Sequence, residues 1–380
     1  MKVLHVITGL GQGGSEGVLF RLIAASPPDI EHVVVSLMGE AHFGPLLRQR
    51  GVTVFALEEP PGQLSLRGVL ALHRLVAEIQ PDVVQTWMYH ADLVGGLVAR
   101  WAGIRAVIWG IRNASLDPHK TSFSARAVAR ACALLSRILP SRIVCCSKEA
   151  ANAHQRIGYQ ARKFSVIPNG YDLSRFAPDA EARSRLRQEW VIEQQEILLG
   201  MVARWDPLKD HATLLEALAM LMQQGAAFKC VLVGTGMTTA NAHLNESLSR
   251  LGVRNTVLLA GPRDDIPAVM NAIDLHVLSS AGEAFPNVVA EAMACGTPCV
   301  VTDVGDAALI VGERGWVVPS RNPGALALGI TEALEAMAAT GPTALGEQCR
   351  ARIKDNFSLD TMVHAYQSLW IDVSGAEVTD

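Results

Sequence analysis

The sequence predicts an α/β protein of two doubly wound, parallel-sheet domains. Short aliphatic, β-branched runs alternate with helical patterns along nearly the whole chain, the rhythm of βαβ units whose helices cover a parallel sheet. Glycine is frequent, at 32 residues, as many strand-to-helix turns require. The rhythm breaks once, at a polar stretch over 171–195, and then resumes. With 380 residues, 49% of them hydrophobic, the chain can bury two or three cores.

In the first series, strand-like runs fall at 3–7, 32–37, 52–56, 82–86, 105–109, 142–146 and 164–167, with helices at 15–25, 67–79, 91–101 and 122–137. Pro168-Asn169-Gly170 then stops the last strand with turn residues. The stretch with Asp179, Glu181, Arg183, Arg185, Arg187 and Glu189 reads as a connector holding a short helix. The second series has strands at 196–202, 229–234, 256–260, 274–278, 298–302 and 315–318, and helices at 209–223, 240–251, 265–271, 286–295 and 322–338. The division expected is therefore a domain at 1–170, a connector at 171–195, a domain at 196–340 and terminal helices in 341–380. Two of those helices, 344–353 and 358–371, can pack on either domain.

The formal net charge of -4 hides an uneven distribution. Residues 1–170 carry 18 Lys+Arg against 11 Asp+Glu, and the remainder 15 against 26. A basic first half suits an anionic membrane or an anionic acceptor, or is an ordinary fluctuation over a large surface. No dense basic run interleaved with aromatics suggests nucleic acid. The seven cysteines form no CxxC pair and lie mostly in apolar runs, so they read as buried thiols of a reducing compartment, with no zinc site. Lys2 leads straight into a strand rather than a signal peptide, and no apolar run is long enough to span a bilayer, which makes a cytoplasmic location the expectation.

Several strand ends carry candidate chemistry. Gly9-Leu10-Gly11-Gln12-Gly13-Gly14 follows the first strand; glycines admit a phosphate to the backbone, and the next helix offers free N–H groups. Gly9, Gly11 and Gly14 match a dinucleotide fingerprint, but His32 to Leu37 supplies no acid for a ribose, and no Lys-Ser or Lys-Thr makes a P-loop. The loop holds a ligand or is simply a tight turn. Arg204 and Lys209 follow the strand ending at Val202 and could converge on a diphosphate, one as a planar fork and one as a mobile charge; singly, each is an ordinary surface residue. Gly234 ends another strand and either cradles a ligand or reverses the chain. Arg263, after the next strand, could approach a base through side chain or backbone, while Asp264 could equally cap a helix.

The most informative segment is Ser280-Ala281-Gly282-Glu283-Ala284-Phe285-Pro286-Asn287-Val288-Val289-Ala290-Glu291. Two carboxylates stand in a stretch otherwise small or apolar, and ionised Glu is costly to bury without partners. The segment follows a strand-like run, where open α/β sheets place ligands. A helix starting near Pro286 puts Glu291 in its second turn and Glu283 in the loop before it, with amides around Ala284 to Asn287 facing negative charge. The alternative gives Glu283 a capping role and sends Glu291 to solvent.

These residues resemble the retaining nucleotide-sugar glycosyltransferases of family 4. The signature is Glu-x7-Glu from Glu283 to Glu291, continuing into Gly296-Thr297-Pro298 and Asp303-Val304-Gly305, together with Arg204, Lys209 and Ile167-Pro168-Asn169-Gly170-Tyr171-Asp172. The resemblance implies the GT-B architecture, two facing Rossmann-like domains with an interdomain cleft, the last helix returning to the N-terminal domain. It implies an N-terminal acceptor-side domain and a C-terminal nucleotide-sugar domain. Glu283 would contact hydroxyls of the transferred sugar, Glu291 the ribose diol, and Arg204 and Lys209 the diphosphate leaving group. Gly11, Gly13 and Gly14 would close over the donor, with Gly234, Arg263, Ala284, Phe285, Pro286 and Asn287 also on the donor side. It further implies no metal and no cofactor, the donor being a UDP- or GDP-sugar and the acceptor a growing saccharide, plausibly lipid-linked, at the inner face of a membrane.

The acceptor side departs from the family. Many relatives carry a His after the fifth strand, where this chain has Trp109, followed by Arg112. His90, after the fourth strand, is placed to orient an acceptor hydroxyl or to make a structural hydrogen bond, and Arg112 to meet an anionic acceptor or a donor phosphate. Two other functions suit the same scaffold: a nucleotide-sugar epimerase or sucrose-type synthase, and a non-catalytic sugar-nucleotide sensor or subunit.

Overall fold

A computed structural model describes residues 1–63, 65–112 and 123–375, which form two compact units. The first contains Met1–Gly170 and the chain from Leu359 onward; the second is Tyr171–Ser358.

The first unit runs β1 (Lys2–Ile7), α1 (Gly14–Ala25), β2 (Glu31–Ser36), α2 (Phe43–Gln49), β3 (Thr53–Ala56), α3 (Leu66–Ile79), β4 (Val83–Trp87), α4 (Tyr89–Trp101), β5 (Val107–Ile111), α5 (Phe123–Leu135), β6 (Arg142–Cys145), α6 (Lys148–Arg156) and β7 (Phe164–Val166). The strands pair in parallel, in the order β3-β2-β1-β4-β5-β6-β7. Alternate residues of each strand feed two cores: in β5, Val107, Trp109 and Ile111 face the layer of α3, α4 and α5, and Ile108 faces the opposite layer. Residue 122, the expected start of α5, lies outside the described residues.

The second unit runs α7 (Ala180–Glu189), β8 (Leu198–Val202), α8 (His211–Gln223), β9 (Lys229–Val233), α9 (Ala242–Arg250), β10 (Val257–Gly261), α10 (Ile266–Ala272), β11 (Leu275–Leu278), α11 (Asn287–Ala294), β12 (Cys299–Thr302), α12 (Ala307–Val311), β13 (Trp316–Val318), α13 (Pro323–Thr340) and α14 (Pro342–Phe357). Its parallel sheet has the order β10-β9-β8-β11-β12-β13. The last helix, α15 (Leu359–Ser374), belongs to the first unit, where Tyr366 and Trp370 are fully buried beside Trp87 and the β1 face.

The connector is not a free linker. Its helix α7 lies on α10, and Arg187, fully buried, donates to Asp274 and to the carbonyl of Ala272. A buried guanidinium needs such partners, and they tie 171–195 to the second sheet. Three short helices, α2, α6 and the five-residue α12, escaped the sequence reading. The seven residues of α2 include Gly44 and Pro45, too few and too broken for a helical period. The nine of α6 are mostly polar and are fixed by the Ser147 cap, whose Oγ accepts from Ala150 N at 2.9 Å.

Candidate functional site

In both sheets the strand order reverses at a single point, between β1 and β4 in the first and between β8 and β11 in the second. Chains leaving neighbouring strands there diverge to opposite faces and open a crevice at the carboxyl ends. The loop from Gly9 to Gly14 and the turn at Tyr89-His90 lie at the first reversal; Arg204 to Lys209 and Ser280 to Glu283 lie at the second.

At the second reversal the structure brings Lys209 and Glu283 together. Lys209 Nζ donates to Glu283 Oε1 at 2.5 Å, with side-chain exposures of only 19% and 11%. Ser280 Oγ donates to the same oxygen at 2.7 Å. The loops carrying the pair are themselves joined: Ala281 N donates to Leu208 O at 2.8 Å, and Ser279 Oγ to Lys209 O at 3.0 Å. Thr302 Oγ1 on β12 donates to Ser280 O at 2.7 Å. The pair therefore stands on backbone anchored at three strand ends, and neither charge is buried alone.

Arg204 is turned toward Asp206, with Nε and Nη2 at 3.0 and 2.9 Å from Oδ2, and it remains largely exposed. Asp206 also caps the next turn through Leu208 N, a role the sequence reading missed although it lies two residues from Arg204. Beside it, His211 is buried against Trp205; burial and the nearby Lys209 push its imidazole down to about 4. Gly234 presses on this loop: a Cβ there would lie 2.2 Å from Ala203 O and 3.1 Å from Arg204 N. Gly305 does the same for the acidic loop, with φ +55 and a virtual Cβ 2.6 Å from Glu283 O and 2.5 Å from Ala284 O.

Helix α11 begins beside Pro286, and Glu291 lies half-buried in its second turn. Phe285 is buried edge-on to Phe357 at 5.7 Å, so it anchors the loop. Asn287 Oδ1 accepts from Tyr171 OH at 2.6 Å, which fixes the start of α11 from the 167–172 motif. Arg263 stands apart from Lys209 and Glu283 in its bonding. Its guanidinium is held by Asp265 and Glu189, at 2.7 and 2.6 Å, and lies over the Trp190 ring, leaving its backbone as the way to reach a ligand.

In the first unit, Gly13 caps α1 and its amide bonds Gly11 O at 3.1 Å. A Cβ at Gly13 would meet the Glu16 carboxylate at 2.3 Å, whereas Gly11 and Gly14 face open space. Glu16 is half-buried, and burial raises its carboxyl above the usual range. His90 stands two residues after Met88, a non-glycine residue with φ +75, and its Nε2 is buried with no partner among the described residues; burial lowers its basicity. Trp109 is fully buried in the core, its indole against Gly96 and edge-on to Tyr159, so it fills the α4–α5 layer rather than lining an accessible surface. Arg112 turns the other way. It donates to Asn169 Oδ1 at 2.9 Å and to Tyr366 OH at 2.6 Å, and lies over the Trp87 ring. Sequence reasoning also missed Asp92, fully buried one turn into α4, which accepts from Thr86 Oγ1 at 2.6 Å and Gly110 N at 3.1 Å.

Among the described residues no group of three or more His, Cys, Asp or Glu could hold a metal ion, and no helix is long and apolar enough to cross a membrane. All seven cysteines are buried free thiols.

Two family descriptions match the chain: Glycosyltransferase Family 4 over residues 12–175 and Glycosyl transferases group 1 over 196–336. The D-inositol 3-phosphate glycosyltransferase of Salinispora tropica is 29% identical, over 100% of this chain and 80% of its own length. The UDP-Gal:alpha-D-GlcNAc-diphosphoundecaprenol alpha-1,3-galactosyltransferase of Escherichia coli is 23% identical, over 81% of this chain and 80% of its own. Among solved structures, Anabaena HepE in complex with UDP superposes with a TM-score of 0.84 at 26% identity, covering 97% of this chain and 99% of that one. The same protein with UDP-glucose gives 0.80 at 25%, covering 99% and 100%.

Proposed function

This chain belongs to the group 1, family 4 glycosyltransferases of the GT-B fold class, and we propose that it moves a hexose from a UDP- or GDP-sugar, with retention, to a growing lipid-linked glycan. That it is a nucleotide-sugar glycosyltransferase, with the donor as substrate, follows from the family and from the UDP and UDP-glucose complexes of HepE. The finer reading rests above all on one observation, the Lys209–Glu283 contact at the reversal of the second sheet.

The chemistry fits that pair. Cleaving a sugar–phosphate bond leaves a diphosphate with growing negative charge, and a positioned ammonium stabilises it more in the transition state than in the ground state. Lys209 takes this role, with Arg204 as the exposed partner that exchanges Asp206 for phosphate. Glu283 accepts from hydroxyls of the transferred sugar and Glu291 from the ribose diol. The amides around Ala284 to Asn287 and the glycines Gly11, Gly13, Gly14 and Gly234 admit the donor backbone-close. Arg263 serves the base through its main chain. Retention follows the family's front-face course, the departing phosphate assisting deprotonation of the acceptor. His90 and Arg112 serve the acceptor from an N-terminal acceptor domain, the C-terminal domain serves the donor, and the enzyme works in the cytoplasm against the anionic inner face of a membrane.

The test is titration calorimetry with UDP- and GDP-sugars, followed by product analysis. The expected result is that one donor series binds, that nucleoside diphosphate is released on transfer, and that the new linkage keeps the donor's anomeric configuration. Undiminished donor affinity after replacing Arg204, Lys209 and Glu291 together, or an inverted product, would overturn the reading.

A further inference from the structure

We propose that the outer face of α3, α4 and α5 is the surface on which the first unit docks to an anionic lipid bilayer. The proposal rests on the reading of the acceptor as lipid-linked, and it names the side chains that would meet the lipid. A helix covering the sheet of a soluble domain normally shows water a stripe of charges of both signs. Here the outer stripes of α4 and α5 are apolar and basic, and that of α3 sets two arginines against one acid, Glu78.

On α5, Phe123, Ala127, Arg130 and Leu134 recur at helical spacing, and Arg137 and Ile138 continue the stripe into the next turn. Phe123 and Leu134 are each 78% exposed and Ile138 70%. On α4, Leu97 and Trp101 stand one turn apart, Trp101 at 60% exposed. On α3 the exposed residues are Leu66, Arg67, Leu70, Arg74, Ala77 and Glu78.

Direct contacts make these stripes one surface. The His73 ring of α3 lies 4.0 Å from the Trp101 ring of α4. Arg100 of α4 donates to the carbonyls of Leu139 and Ile138 after α5, at 2.8 and 3.1 Å. Exposed apolar area of this extent marks an interaction site.

Charge selects the partner. From Leu93 to Lys148 the sequence holds nine Lys and Arg against one acid, Asp117. Among the described residues, Arg67, Arg74, Arg130 and Arg137 take part in no ion pair within 4.0 Å. At the corner below Ile138, Lys163 has its ammonium pKa lowered by burial and by the like charges of Arg100 and Arg142. A second copy of the same face would set these four arginines against each other with only Glu78 of α3 to pair them. A bilayer with anionic headgroups supplies phosphates for the guanidinium groups and acyl chains for Leu, Ile, Phe and Trp.

The experiment is co-sedimentation of the full chain with vesicles of phosphatidylcholine, alone or with a quarter phosphatidylglycerol, at low and high salt. Nucleotide release from UDP-glucose and GDP-mannose is followed in the same samples. The expected result is binding to anionic vesicles only, weakened by salt. Replacing both Arg130 and Arg137 by Gln should lower partitioning roughly thirtyfold, from about fivefold per basic residue. Leu134→Ser with Ile138→Ser should lower it too, and both variants should keep the wild-type circular dichroism melt and donor-dependent nucleotide release. Equal binding to neutral vesicles, no binding, or unchanged partitioning of both variants overturns the proposal. So does a dimer in lipid-free solution that the Leu134→Ser, Ile138→Ser variant disperses. Vesicle binding without nucleotide release from any donor would instead count against the proposed reaction and leave this surface standing.

Discussion

Gly305→Ala is the sharpest perturbation of the acidic loop that leaves every charged residue in place. Gly305 has φ +55, where an alanine costs about 1–2 kcal/mol. Its Cβ would sit 2.5 Å from Ala284 O, against the 3.4 Å of ordinary contact, so the loop must give way by about 0.9 Å. The atoms in the way are the carbonyls of Glu283 and Ala284, and Ala284 O is also fixed by Asp306 N at 3.0 Å. The displacement therefore lands on the backbone that aims the Glu283 carboxylate. A misplacement of that order can cost roughly a hundredfold in turnover. Gly252→Ala is the control: Gly252 has φ +70 but open space around its Cβ site, so it shares the backbone strain without the collision. Thermal melts by circular dichroism and nucleotide release from the accepted donor are the assays. Gly252→Ala should lose only the backbone cost, Gly305→Ala should lose that and about 1–3 kcal/mol more for the collision, and Gly305→Ala alone should lose about two decades in kcat. A Gly305→Ala enzyme within a few-fold of Gly252→Ala in turnover would refute the claim that the Glu283 backbone is positioned by this contact.

Lys209→Ala should weaken donor affinity and lower kcat by at least about tenfold, as loss of a charge-assisted bond worth about 1.5–3 kcal/mol implies; calorimetry with the accepted donor checks it, and a change in KM alone would show uniform binding instead. Glu283→Gln should keep the fold and lose most turnover, and full activity in that variant would remove Glu283 from the reaction. His211 and His276 of the second unit are buried and held down to about 4. Their folded-state values lie below the unfolded 6.5, so the stability they permit is complete above pH 6.5 and drains as pH falls toward 4. From pH 7 to 5 each should cost about 2 kcal/mol, and a urea midpoint flat across that window would refute the burial argument. Asp92 goes the other way: burial raises its carboxyl to about 8, against the hydrogen bonds from Thr86 and Gly110. Wild type should therefore lose about 1.4 kcal/mol per pH unit relative to Asp92→Asn between roughly pH 4 and 8, and parallel stability curves would show that Asp92 ionises freely in the fold.

What could be read from the sequence divides along physical lines. Buried parallel strands are continuous apolar runs, so the thirteen strands were legible, with ends displaced by a residue or two; β5 was read at 105–109 and lies at Val107–Ile111. The acidic loop was legible because Glu283 breaks a local rule, an ionisable group in apolar surroundings. Lys209 was legible as a candidate beyond a strand end, but its pairing with Glu283 was not, since a contact across 74 residues leaves no periodic trace. Arg263 looked like a ligand residue at a strand end, but Glu189 and Asp265, one of them distant in sequence, claim its guanidinium. Trp109 looked like a substituted site residue. Strand alternation decides otherwise: the residue lies on the same side of β5 as Val107, under α4 and α5, where Gly96 makes room for the ring. Arg112, three residues on, falls on the other side and reaches Tyr366, 254 residues away.

The geometry around Glu283 also explains how a lysine and a glutamate from two joined loops can meet without spoiling the role proposed for each. Among the described residues, both bonds to this carboxylate, from Lys209 and Ser280, go to Oε1. The other oxygen is thereby aimed rather than consumed, and the group is fixed in orientation before any sugar arrives. Lys209 in turn keeps two further ammonium protons beyond the one given to Glu283. Holding the two as a pair avoids the cost of keeping an isolated charge in a nearly closed site while the donor is absent. In the proposed reaction, as the diphosphate gains charge the balance at Lys209 would shift toward phosphate, and Ser280 would keep Glu283 in place. Preorganisation of this kind needs rigid supports, and the supports are the ends of β8, β11 and β12, linked through Ala281, Ser279 and Thr302.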